Sequence, residues 1–326
     1  MANRINQQAG QGQPRADFNQ ALTALRQSGF NLHTLELDAL SDLTRDQVEQ
    51  FRSAWQVLSI EQRRELVTAL IEHAEDHVNA NFDAIFRWLV EGSDDASVRT
   101  QAIEGLWEDE DVRLINPLIR RLEMDSSDDV RAAAALSLGR FLLLGEYDQL
   151  EHSIAQRIEN ALLDAYHVSD QDAWVRRRVL EALANSSNEE LPDMIQAAYE
   201  DDDEIMRIGA VFAMGRSADP MWNPLVLEEL GSSDNAMLLE AVRASGELQI
   251  EEALPDLIRL LSDEDIEIRD EAVWALGRIG GREARRALEA CVASSDEDLS
   301  EAAEDALAEM DFMAGDNTMP GFFEPD

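Results

Sequence analysis

The chain contains no lysine. Its 27 basic residues are therefore all arginine, and they stand among 326 residues against 68 Asp plus Glu, for a formal charge of −41. Such an anion repels polyphosphate and lacks the clustered cations that displace counterions, so no nucleic-acid partner is expected. Anionic membrane surfaces are disfavoured for the same reason. A single cysteine excludes an internal disulfide and a four-cysteine zinc site, which points to a reduced, cytoplasmic compartment. No apolar run approaches the roughly 20 residues of a membrane helix, and no basic-then-apolar leader is visible. Glycine-rich phosphate loops, nucleophile elbows and HExxH zinc motifs are missing as well. What is present is 45% hydrophobic residues, ample material for a folded core. The replacement of every lysine by arginine fits a genomic compositional bias or a saline cytoplasm, and neither bears on function.

Internal periodicity settles the architecture. The stretch "VRAAAALSLGR" from Val130 has near-copies at Val98 ("VRTQAIEGLWE"), Val175 ("VRRRVLEALAN"), Met206 ("MRIGAVFAMGR") and Ile268 ("IRDEAVWALGR"), with Leu238 and Ser300 in the place of the Arg in two weaker copies. From Arg207 the register runs to 238, 269 and 300, in steps of 31; Arg99 to Arg131 is 32, and Arg131 to Arg176 is 45, one period plus an insertion of 14. Each copy has helical apolar spacing, as in Ile268, Ala272, Ala275, Leu276 and Ile279. A second amphipathic stretch separates successive copies, for example Ala253 to Leu261 with Pro255 in the first helical turn. The joints, such as Ser262-Asp263-Glu264-Asp265, Asp201-Asp202-Asp203-Glu204 and Ser294-Ser295-Asp296-Glu297, are small and acidic, suited to cap the following helix. Each unit is thus a helical hairpin that cannot bury its apolar stripe alone. The fold class expected is an all-α solenoid of about eight stacked hairpins.

"DEDIEIRDEAVWALGRIGG" resembles a HEAT repeat of the short bacterial kind found in phycocyanobilin lyase subunits, over about residues 78–310. The resemblance implies a HEAT-like superhelix, and that the Arg of each Val-Arg pair belongs to a structural ladder bonding acidic turn residues. It implies little about activity.

The organisation expected is a disordered tail over 1–16, a helical cap over 17–77, a HEAT-like array over 78–310 with the insertion inside 140–174, and a flexible acidic tail over 311–326. The array reads as one elongated, non-dividing domain. In the cap, Thr44-Arg45-Asp46-Gln47 and Ser59-Ile60-Glu61-Gln62 are capping boxes, and residues 18–28 form a short helix. The insertion lengthens the hairpin that holds Leu142-Leu143-Leu144 and Leu150 to Tyr166, which makes it a candidate recognition element. Phe322-Phe323 in the tail is a candidate docking peptide.

Catalytic constellations are weak. His73 and His77, four apart on a helix, have metal-ligand spacing but no third ligand near in sequence. His152 and His167 fall about 22 Å apart by helical arithmetic and cannot cooperate. Asp201 to Glu204 lacks the alternation and central glycine of a calcium loop. Cys291 stands between Ala290 and Val292 as a small core residue with no histidine in its repeat. No catalytic residue, cofactor or metal is therefore assigned, and the protein is expected not to be an enzyme. A DNA glycosylase on this type of fold would need a basic, aromatic face that this sequence lacks.

The second helix of each hairpin is expected to line the concave side. The residue after the "LG" pair runs Glu108, Arg140, Asn185, Arg216, Glu247, Arg278, Glu309 down the array, alternating in sign from Arg216. Such a series can be a ladder of inter-repeat ion pairs. It can also belong, with Trp107, Arg177, Arg178, Glu181, Glu240 and Arg243, to a protein-binding groove of mixed charge that is less acidic than the rim. On that reading the arginines are the place to look for recognition, and reversing Arg178 and Arg216 leaves helicity unchanged while abolishing capture of a partner. The function expected is that of a monomeric, non-enzymatic scaffold holding a polypeptide. The alternative is an accessory subunit of an enzyme such as a chromophore lyase.

Overall fold

The computed structural model describes residues 17–27, 31–168 and 171–316, with no side-chain description for 314–316. Among the described residues there is no strand. After α1 (Phe18–Leu25) the helices follow in consecutive pairs: α2 (Arg45–Trp55) and α3 (Ile60–Asp76), α4 (Asp83–Gly92) and α5 (Ala96–Glu104), α6 (Ile115–Met124) and α7 (Asp128–Glu146), α8 (His152–Tyr166) and α9 (Ala173–Leu183). Then come α10 (Leu191–Tyr199) and α11 (Glu204–Arg216), α12 (Asn223–Glu229) and α13 (Asn235–Glu247), α14 (Leu254–Leu260) and α15 (Ile266–Ile279), α16 (Gly281–Val292) and α17 (Glu297–Asp316). The fold is an all-α solenoid of helix pairs. The long insertion is taken up by α7 and α8, of 19 and 15 residues.

The acidic joints begin the second helices through side-chain caps. Asp95, Asp172, Asp203, Asp234 and Asp265 each accept a hydrogen bond from a backbone N–H in the first turn that follows, satisfying a donor that has no partner inside the helix. The Thr44 and Ser59 capping boxes are both formed. The Val-Arg arginines then stitch the turns. Arg99, Arg131, Arg207 and Arg269 each donate from Nη1 to the carbonyl six residues earlier, at 3.0 Å in every case. Arg99 also grips Asp125, one repeat onward, through Nε and Nη2 at 2.9 and 2.6 Å.

Two compact units divide at Ser137/Leu138, inside α7. The single non-dividing array expected from the period is corrected on this point: a repeat pattern reports that neighbours are alike, not that every interface is equally dense. In the second unit, α9, α11, α13, α15 and α17 pack side by side in chain order as a layer, while α8, α10, α12, α14 and α16 each pack on their own hairpin partner. The "LG" glycines set the spacing of that layer. A Cβ on Gly215 would lie 2.9 Å from the Ala244 Cα, and one on Gly246 2.9 Å from the Ala275 Cα, so larger residues would force the helices apart.

The last helix continues to Asp316, correcting the expected start of a flexible tail at 311. Arg285 holds that extension by bonding Asp311 at 2.5 Å. The expectations for 1–16 and for Phe322-Phe323 lie outside the described residues. No helix among the described residues is long and apolar enough to cross a membrane.

Candidate interaction face

The polar side chains that project from the second-unit layer are organised chiefly by one another. On α9, Arg177 Nε and Arg178 Nη1 each contact a different oxygen of Glu181, both at 2.6 Å, and Glu181 is only 1% exposed. Arg178 also lies 4.2 Å from the centre of the Trp174 ring. Arg177 then reaches across α11 to Glu240 on α13, 3.6 Å away. It can do so because position 209 is glycine: a Cβ there would sit 2.7 Å from the Arg177 Cγ. Glu240 receives Arg243 at 3.3 Å, and Arg243 turns its other edge to Glu271 on α15, at 3.2 and 3.0 Å. A chain of alternating charge therefore runs from Arg178 to Glu271, spanning four helices.

The residues after "LG" make shorter links. Arg216 pairs with Glu247 at 3.4 Å and Arg278 with Glu309 at 3.6 Å. Arg140 is half-buried on α7, 5.1 Å from the Phe141 ring centre. Trp107 and Glu108 belong to the first unit, just past α5, and are exposed, Trp107 at 62%. Among the expected site residues the structure thus links Arg177, Arg178, Glu181, Glu240 and Arg243 into one network, and places Arg216, Glu247 and Arg278 in neighbouring pairs.

Removal from water governs two acids of this face, Glu240 and Glu247. Burial pushes the Glu240 carboxyl above its ordinary value against the pull of Arg243 and Arg177, with Glu181 and Glu271 adding to the rise. Burial likewise raises Glu247, against Arg216 and Arg243.

The ion-pair reading of the series holds for Arg216, which pairs with Glu247, and Arg178 is likewise held by Glu181. Reversing Arg178 would set a carboxylate against buried Glu181 and leave it Arg177 alone, so that substitution cannot be assumed to spare the fold. Free charge on this face is acidic instead. Between α13 and α15 lies a groove of ≈ 610 Å³ lined by Arg216, Leu239, Arg243, Glu247, Glu267, Asp270, Glu271 and Trp274. Leu239, Glu267, Asp270, Glu271 and Trp274 escaped the reading of the sequence. Asp270 and Glu271 do follow the Val-Arg register, one and two positions past Arg269, and that signal was available.

Elsewhere the chemistry-bearing residues are occupied locally. His73 Nε2 lies 2.7 Å from Asp38 Oδ1, and the His77 ring stacks on it at 4.0 Å. Among the described residues no group of three or more His, Cys, Asp or Glu is placed to hold a metal ion. Cys291 is buried on α16, where desolvation raises its thiol, the opposite of an activated nucleophile.

Comparison with known proteins agrees with this architecture. A family model described as HEAT repeats matches residues 223–308, and one described as HEAT repeat matches 114–144. Among solved structures, the complex of CpcE and CpcF of phycocyanin lyase from Nostoc sp. PCC7120 is similar at 17% identity and a TM-score of 0.50, covering 95% of this chain and 100% of that chain. Human deoxyhypusine hydroxylase in complex with glycerol is similar at 18% identity and a TM-score of 0.32, covering 71% of this chain and 96% of that chain. No curated protein matches the chain.

Proposed function

Starting from a HEAT-like repeat protein with an all-α solenoid fold, we propose that it is a non-enzymatic scaffold that holds a polypeptide against the second-helix layer of its second unit. The observation that carries this reading is the groove between α13 and α15. It is open, with half-buried Leu239 and Trp274 beside charged groups, and its lining residues include no nucleophile next to a base. Such a surface is suited to bind rather than to convert.

The absence of lysine makes amine-reactive cross-linking blind to this face, so the test uses a photoreactive residue at position 239, with position 287 on α16 as control. Illumination in the native cell is expected to give a discrete polypeptide adduct from 239 and none from 287. Equal labelling at both positions would refute the assignment of the face.

A second reading, an accessory subunit of an enzyme such as a chromophore lyase, is supported by the likeness to the CpcE and CpcF complex over nearly the whole of both chains. On that reading the cross-linked partner is a second subunit of an enzyme, which sequencing the adduct would reveal.

A further inference from the structure

We infer that the groove between α13 and α15 is built for a basic side chain, so that the partner is a polypeptide segment carrying Arg or Lys beside an apolar residue. The inference rests on the scaffold reading above and adds the chemistry of what is bound. Its basis is an inventory of charge. Arg243, which lines the groove, is spent on Glu240 and Glu271, and Arg216 on Glu247. Glu267 and Asp270 are left: both are exposed, both line the same groove, and neither has a cationic partner among the described residues.

Their register supplies the geometry. Glu267, Asp270, Glu271 and Trp274 follow one another at helical steps of three, one and three, so Asp270 and Trp274 are one turn apart on one face of α15. Trp274 lies over Gly246 of the neighbouring helix, whose Cβ, if present, would sit 2.6 Å from the ring. The glycine therefore lets the indole lie down against α13 and form a floor. The Arg278 guanidinium already lies 6.0 Å from the centre of that ring, so an incoming cation shares the indole with it and is held chiefly by the two free carboxylates, while Leu239 on the opposite wall takes an apolar neighbour. About 610 Å³ is room for one or two side chains, not for a folded domain.

Other occupants fit poorly. Nucleic acid meets a wall of like charge. A second copy of this chain brings 41 further negative charges and no lysine. A foreign basic segment is instead drawn in from a distance by the field of the whole molecule and selected at short range by the groove.

The test must separate this site from mere attraction to a polyanion. A fluorescein-labelled peptide of alternating Arg, Gly and Leu is titrated with the full chain at about 0.15 M salt, where exposed charges more than roughly 8 Å apart are screened. The double variant Glu267→Gln/Asp270→Asn is compared with Asp202→Asn/Glu204→Gln, an equal change of charge at the joint before α11. We expect at least a tenfold loss of affinity for the groove variant, less than twofold for the joint variant, and a two- to fivefold loss for Trp274→Leu. Circular dichroism serves as the check on folding. Equal losses in the two double variants would overturn the inference, as would equal binding of a peptide with Glu in place of Arg. If the peptide fails while a photoreactive residue at 239 still captures a polypeptide, the face stands and the basic partner does not.

Discussion

Two kinds of buried carboxylate occur in this molecule, and they are held in opposite ways. Asp125, in the turn between α6 and α7, lies in a cage of donors: Arg99 through two nitrogens, Arg121 at 3.1 Å and the backbone N–H of Ser127 at 3.1 Å. Burial alone would raise its carboxyl, but Arg99, the Ser127 amide and Arg121 together hold it below the ordinary range. Glu240, on the second-helix face, is buried to a similar degree yet meets only arginine edges at 3.3 and 3.6 Å, and it is raised. The turn carboxylate has the backbone as well as cations to offset its desolvation. The face carboxylate has cations alone, at longer range, shared with other acids. The first arrangement fixes a repeat joint, and the second leaves a polar layer whose ionisation is less secure.

The largest effect should come from the turn. Arg99→Ala removes the two shortest bonds to a carboxylate that is almost fully buried and leaves it only Arg121 and the Ser127 amide; the weakened compensation is expected to cost roughly 3 kcal/mol, read by urea unfolding. A loss below about 1 kcal/mol would mean that Arg121 suffices and that the ladder is redundant.

The face should respond less, and unevenly. Arg178→Glu sets an acid directly against buried Glu181 and is expected to destabilise by about 2–3 kcal/mol. Arg216→Glu, at a side chain 48% exposed, should cost no more than about 1 kcal/mol. Measured together by thermal unfolding, equal effects would erase the distinction between the linked network and the outlying pairs.

How much of this was legible beforehand follows from what a repeat records. The 31-residue period and the acidic caps recur from hairpin to hairpin, because each repeat must solve the same stacking problem, while the role of the Val-Arg arginines followed from the resemblance and holds at Arg99, Arg131, Arg207 and Arg269. The alternation from Arg216 to Glu309 was legible for the same reason, and the structure pairs Arg216 with Glu247 and Arg278 with Glu309. What the period could not show is what happens where repeats differ. Gly209 stands where its neighbours in register carry Arg178 and Glu240, and that single missing side chain lets Arg177 pass over one helix to the next but one. Trp274 and Gly246 form a similar pair, complementary only across two repeats. The division at Ser137/Leu138 was hidden too, since it depends on packing density along α7 rather than on any residue of the motif. The link that crosses two repeats sits in these departures from the repeat, and it is what carries Arg177 to Glu240.

The smallest expected effect distinguishes the two carboxylates by sign rather than by size. Glu240 titrates higher in the folded chain than in the unfolded one, so the folded state holds its proton over a window starting near the ordinary value of 4.5. Within that window the unfolded chain is ionised first, and stability falls as pH rises until the folded carboxyl has titrated. Asp125 titrates lower in the folded chain, so its contribution is complete above the ordinary 3.8 and is lost as pH drops below it. Subtracting the stability of Glu240→Gln from that of the unaltered protein removes the general effect of 68 acids and leaves a difference that declines with rising pH above 4.5. The same subtraction with Asp125→Asn should leave a difference that grows with rising pH below 3.8. Two slopes of the same sign would show that the turn and the face hold their carboxylates alike, and the contrast between joint and layer would then rest on geometry alone.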